Sequence, residues 1–173
     1  VVPEAGDPEF HNLKTPGLFQ ADRSRTATLV RRTNHIEAAV SGAGDLRLTD
    51  DNVFAPWEAE GGKWAGVVYY ARAGRAEPKT VLDLEISPVT ANADSFAVSW
   101  LGKPLPGAKV IVINADRWQK SFTADAQGRV AVPVTAPGRY LLSVSHDVEG
   151  ARTLGGKSVA KTTHVSTLTF VAP

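Results

Sequence analysis

The chain has 173 residues, 43% hydrophobic and 21% charged, with four tryptophans. That fits one compact unit or two small β modules and excludes both a disordered chain and a large multidomain enzyme. Nineteen Lys and Arg oppose eighteen Asp and Glu, a formal charge of +1 that supplies no long-range field toward nucleic acid or anionic lipid.

No apolar run approaches the roughly 18 residues needed to span a bilayer. Without cysteine, a disulfide scaffold, an iron–sulfur site and Cys-ligated zinc are ruled out. A chain that opens on Val1, contains no Met and begins without a basic-then-apolar segment is expected to be a processed or trimmed product.

Residues 1 to 22 mix Pro3, Pro8, Pro16, Gly6 and Gly17 with charges, which interrupts helices and ladders alike and predicts an irregular N-terminal arm. Short β-like runs follow over Thr26 to Thr33, Ile36 to Val40 and Asp45 to Thr49, the last alternating Leu46 and Leu48 against Asp45, Arg47 and Thr49. Arg23 to Val40 is also compatible with a helix; strand is the expectation. Asp50 to Lys63 predicts a loop rich in carboxylates and glycine, and the β-branched and aromatic run Trp64 to Arg72 a central strand.

Val81 to Ile86 places Leu82, Leu84 and Ile86 on one face and Asp83 and Glu85 on the other, with Pro88 closing the strand. Phe96, Val98 and Trp100 form the next inward face. Gly102-Lys103-Pro104-Leu105-Pro106-Gly107 is a turn by composition, followed by a strand from Ala108 to Asn114. Asp125-Ala126-Gln127-Gly128 joins Gln119 to Ala124 with Arg129 to Val134 as a hairpin. Ala136-Pro137-Gly138 turns into a strand from Arg139 to His146, a polar loop runs from Asp147 to Thr163, and a last strand spans His164 to Val171.

The expected core contains Leu84, Val98, Val112, Tyr140, Leu142, Val144, Leu168 and Phe170. Six or seven short strands with closely spaced turn signals predict an all-β, antiparallel β-sandwich of Ig-like or prealbumin-like character. Its expected parts are the arm (1–22), an N-terminal β module (23–79) and a C-terminal β-sandwich domain (80–173).

The runs Gly102 to Val110, Thr123 to Val130, Ala136 to Leu142, Ser145-His146 and His164 to Phe170 resemble, in order and spacing, the DUF4198 family. That family is similar to the NikM-like domains associated with nickel and cobalt uptake. The likeness covers about residues 80 to 173, and Gly44 to Leu48 with Trp57 extend it more loosely; the Pro-Gly turn before a Tyr strand also looks like transthyretin-like and collagen-adhesin B-type domains. The resemblance implies an exported bacterial protein, periplasmic or at the cell surface, with a β-sandwich fold, no established enzymatic activity and a metal transporter as partner. Family members usually carry a signal peptide and a further N-terminal β segment. The expectation is therefore a first strand that is missing or supplied by another chain, in a homo-oligomer or by a strand-donating partner.

Alternation gives the candidate chemistry. Tyr140, Leu142, Val144 and His146 share a face, and Leu168 and Phe170 put His164 on the inward phase of the last strand. If these strands are antiparallel partners, His146 and His164 start roughly opposite one another, at the ~5 Å spacing of cross-strand neighbours. One reading is a shared divalent transition metal (nickel, cobalt, copper or zinc) with Asp147 or Glu149 adding an oxygen ligand; the other is two rings that cap the core and hydrogen-bond locally.

His11 and His35 read as surface side chains, and Asp50, Asp51, Glu58 and Glu60 as a solvated acidic loop rather than a calcium site. Trp57, Trp64 and Trp118 are candidates for a sugar-stacking platform or for ordinary packing. No nucleophile elbow, Walker loop, zincin helix or dinucleotide fingerprint is present, and Ser143 and Ser145 alternate away from His146, so no enzyme is expected. Two functions remain: a non-enzymatic binding module linked to transition-metal handling, and a structural protein that assembles by β-strand addition.

Overall fold

Because side chains alternate across a strand, runs such as Tyr140-Leu142-Val144 and Phe96-Val98-Trp100 each bury one edge of a ladder, and the chain closes by stacking two such faces. The computed structural model describes residues 8–173. It begins with a 3₁₀ turn (Pro8–Asn12), then β1 (Gly17–Phe19), β2 (Leu29–Arg31), β3 (Ile36–Ala38), β4 (Leu46–Asp50) and β5 (Trp57–Glu58). A second 3₁₀ turn (Glu60–Gly62) leads into β6 (Trp64–Ala73), β7 (Leu84–Pro88), β8 (Ser95–Trp100), β9 (Lys103–Pro104) and β10 (Lys109–Ile113). β11 (Gln119–Thr123), β12 (Arg129–Ala131), β13 (Gly138–Leu154) and β14 (Lys157–Ala172) complete the chain.

The fold is an all-β sandwich. An eight-stranded sheet runs β1-β4-β6-β14-β13-β10-β11, with β5 also on β6; a four-stranded sheet runs β12-β8-β7, with β9 on β8; β2 and β3 form a separate ribbon. All its pairings are antiparallel except β14 on β6, which is parallel. β4 and β6 thus share a sheet with β10, β11, β13 and β14. All eight expected core residues are buried, Leu84, Val98, Val112, Leu142 and Leu168 completely. The rings of Tyr140 and Phe96 stack on Phe170 at 5.3 and 5.6 Å.

The expected hairpin at residues 125–128 is not one: β11 pairs with β10 in the large sheet and β12 with β8 in the small one, so this turn carries the chain from one sheet to the other. Asp125 accepts backbone N–H bonds from Gln127 and Arg129 on its carboxylate, both at 2.8 Å, and from Gly128 on its carbonyl at 2.9 Å. Gly128 sits at φ 71°, and a Cβ there would meet the Val98 carbonyl at 2.8 Å, so glycine is required twice over. At the other turn the Tyr140 hydroxyl donates to the Ala136 carbonyl at 3.1 Å, tying down Ala136-Pro137-Gly138.

Several expectations change. The polar loop from Asp147 to Thr163 is not a loop: β13 and β14 continue as one long hairpin, paired from Gly138↔Ala172 to Leu154↔Lys157 and turned by Gly155-Gly156. Its polarity reflects a half-exposed ladder, and Leu154 and Val159 still bury one face of it. The arm is only partly irregular. Its first seven residues lie outside those described, but Gly17–Phe19 pairs with β4, Phe19 enters the core, and Thr15 donates its N–H and hydroxyl to Asp50, each at 3.1 Å. A strand of the chain itself therefore flanks β4, and Asp50, expected in a solvated acidic loop, is buried because it anchors that arm.

β4 also inverts its expected faces: Asp45 and Arg47 are buried while Leu46 and Leu48 are half-exposed. The expected strand from Val81 begins only at Leu84, and its supposed solvent-facing Glu85 is fully buried. The 102–107 turn contains the two-residue β9, and the strand after Gly128 ends at Ala131. Among the described residues no helix is long and apolar enough to cross a membrane.

Candidate functional site

β13 and β14 are antiparallel with His146 directly opposite His164, so both imidazoles lie on one face of the large sheet. Trp100, at the end of β8, packs its ring against both, with centroids 5.1 Å from His146 and 4.5 Å from His164. His146 is half-buried; His164 is 1% exposed.

Beneath them, Tyr70 of β6 stacks on the His164 ring and places its hydroxyl 2.9 Å from Nδ1. The Tyr70 hydroxyl donates to Asp83 at 3.2 Å, and Asp83 is paired with Arg23 at 2.9 Å. A hydroxyl has one proton to donate, and here it is donated to the carboxylate; His164 must then donate Nδ1–H to the phenol oxygen, which leaves Nε2 as the nitrogen carrying a lone pair.

Burial sets the protonation states. Desolvation, followed by the positive charge of Arg152, lowers the His164 pKa to about 4, so the ring is neutral at physiological pH. Burial and the neighbouring Asp83 carboxylate hold the Tyr70 phenol protonated well above its ordinary range. On β14, Thr162 and Ser166 flank His164 at the two adjacent inward positions, and both are buried with hydroxyls that have no hydrogen-bond partner. Thr162-His164-Ser166 is thus a buried polar strip with hydrogen-bonding capacity to spare.

The carboxylates expected to join the pair do not. Asp147 and Glu149 alternate to the opposite face of β13, where Asp147 accepts from Thr163 at 2.7 Å and pairs with Lys161 at 2.6 Å. Those two partners hold its carboxyl below the usual carboxylate range. Among the described residues no three His, Asp or Glu side chains converge for a metal ion. The histidine pair can offer two imidazole nitrogens, and an ion held there would complete its shell from water.

His11 and His35 are both exposed. The His11 ring lies 5.6 Å from Phe10, and His35 bonds Asn34 at 2.8 Å and Glu37 at 3.0 Å. Trp64 lies under Lys157 at 3.3 Å, while Trp118, under Lys120 at 4.5 Å, immediately precedes β11 at the sheet edge away from β5 and Trp57, so the three tryptophans do not form one platform.

The sequence reading missed a second buried polar cluster, two residues further along β6. Arg72 bonds Asp45 at 2.5 Å and Glu85 at 2.7 Å, and Arg47 bonds Glu85 at 2.9 Å and Glu77 at 3.1 Å. The guanidiniums also bind main-chain carbonyls: Arg47 those of Gln20 and Lys79, Arg72 those of Lys79 and Glu77. The far oxygen of Glu85 accepts from the N–H groups of Val81 and Leu82 at 2.5 and 2.8 Å. The sequence signal was only an arginine in each of two strand-like runs, Arg47 and Arg72; the structure sets them side by side in the β4–β6 register, where two such charges require carboxylates between them.

Compared with family models, curated proteins and solved structures, the chain matches none.

Proposed function

We propose that this chain is an exported, non-enzymatic binding module whose His146–His164 pair takes one divalent transition-metal ion. The observation that carries the reading is the direct His146↔His164 register, with the Tyr70–Asp83 chain presetting one ring. A ligating histidine ordinarily donates its other N–H to an orienting group, which fixes ring and tautomer. Here His164 has that arrangement, stays neutral at physiological pH, and is flanked by unpartnered hydroxyls suited to metal-bound water. Nickel, copper and zinc all suit imidazole. The exported location and the transporter partner rest on the DUF4198 resemblance of the turn and strand motifs.

Calorimetric titration with nickel, copper and zinc tests it. One ion should bind per chain, with a change in Trp100 fluorescence; His146→Ala or His164→Ala should abolish uptake, and His11→Ala or His35→Ala should not. No uptake by the native chain, or uptake unchanged in the double variant, removes the site.

The alternative of assembly by strand addition is favoured by β11, an exposed strand that ends the large sheet beside the exposed Ile111. Lys120, its second residue, is the kind of charge that blunts edge pairing.

A further inference from the structure

The outward face of the large sheet carries a second feature, independent of the histidine pair. Phe54 and Trp57, in the segment before β6, are 42% and 43% exposed and stand with Tyr69 over Val67 and Val165. The Phe54 and Tyr69 rings are 6.1 Å apart and tilted by 54°, so they form walls rather than a stack. Together with Thr163 they line a cleft of about 590 Å³, within the size range of small-ligand sites.

Strand register gives the cleft two unlike sides. Trp57, Ala65, Lys161 and Glu149 lie in one cross-strand row, and Val67, Thr163 and Asp147 in the next. The β5–β6 side is therefore aromatic and aliphatic. On the β14 side the lining is Val165 and Thr163; the Thr163 hydroxyl donates a hydrogen bond to Asp147, which stands beside the cleft and also holds Lys161, and these polar groups reach solvent.

We propose that this cleft binds a neutral carbohydrate, one pyranose ring lying with its C–H face on Trp57 and Phe54 and its hydroxyls toward Asp147, Lys161 and Thr163. Only a ligand with one apolar face and an edge of groups that both donate and accept uses both sides of the cleft. A simple ion would have to displace one partner of the existing Asp147–Lys161 pair and would leave the rings uncovered. An acyl chain would cover the rings but leave the Thr163 hydroxyl and the Asp147–Lys161 pair beside it unused. Asp147 thereby serves this outer cleft rather than the histidines.

The test follows the four tryptophan indole N–H signals by NMR during titration with cellohexaose, maltohexaose and chitohexaose. At least one sugar should shift the Trp57 indole and leave that of Trp118 in place. Trp57→Ala and Asp147→Ala should each weaken that binding at least tenfold, whereas Trp118→Ala and the double histidine variant should leave it unchanged. Asp147 is exposed, so its variant keeps the fold if the Trp57 variant does not. No shift with any of the three sugars, equal shifts of Trp57 and Trp118, or full affinity in the Asp147 variant would overturn the proposal. So would a Trp57 shift produced by monomeric dodecylphosphocholine and by none of the sugars.

Discussion

β6 sends Tyr70 and Arg72 inward two positions apart, and the two polar clusters they open differ in kind. Around Arg72, two guanidiniums meet three carboxylates and a set of main-chain carbonyls, and the arrangement binds the segment between β6 and β7 to the sheet. It is a saturated clamp. Around Tyr70, one phenol orients one imidazole, Nε2 keeps its lone pair, and two neighbouring hydroxyls are unpartnered. Burial alone therefore does not distinguish the two clusters; hydrogen-bonding capacity left over after burial does.

The largest expected effect lies at the clamp. Glu85→Ala removes the carboxylate shared by both arginines, leaves their charges buried, and should cost about 3–5 kcal/mol in denaturant melts. A loss below about 1 kcal/mol would mean that water reaches the cluster and that the contrast with Tyr70 is overstated.

An intermediate effect belongs to His164. Its folded pKa is about 4 against an unfolded value of 6.5, so between these the unfolded chain binds the proton that the folded chain refuses. Stability should fall as pH drops from about 6.5 to about 4, by up to about 1.4 kcal/mol per pH unit, and level off below. His164→Phe should remove that component of the slope; an unchanged slope would assign it to other groups.

The smallest effect separates orientation from packing. Tyr70→Phe keeps the stacked ring and deletes the hydroxyl, which should cost about 1 kcal/mol in stability. Metal affinity measured by the same calorimetry should fall about 10- to 100-fold, the usual cost of losing an orienting partner. A stability loss with no change in affinity would make Tyr70 part of the core only.

Period-2 alternation was enough to find the inward faces of β8 and of the first half of β13, and to put His146 and His164 on the inward phase of β13 and β14; on β10, where Ile111 and Ile113 make the outer face apolar too, alternation alone does not choose. It failed on β4 and β7, where Arg47 and Glu85 are buried through ion pairs with residues distant in sequence. A polar residue looks solvent-facing until its partner is known. The same limit hid Tyr70 and Asp83 from the site: the bond from Tyr70 to His164 spans 94 positions. Asp147 and Glu149 were placed beside the histidines on the assumption that the chain leaves the ladder at residue 146, but it does not.

The one parallel pairing has a consequence for how the chain acquires its shape. β14 is the last strand of the chain and lies in the middle of the large sheet, with β13 on one side and β6 on the other; Thr169 reaches the carbonyl of Arg72 across 97 positions. β1, β4, β5 and β6 have no ladder to the remaining strands of that sheet except through β14. The amino-terminal strands therefore join that sheet only after β14 has been made, held until then by side-chain contacts such as those of Arg47 and Arg72 with Glu85. Contacts this remote in sequence make folding slow, and a chain without β14 (Lys157–Ala172) would lose the join between the two halves of that sheet rather than a dispensable tail.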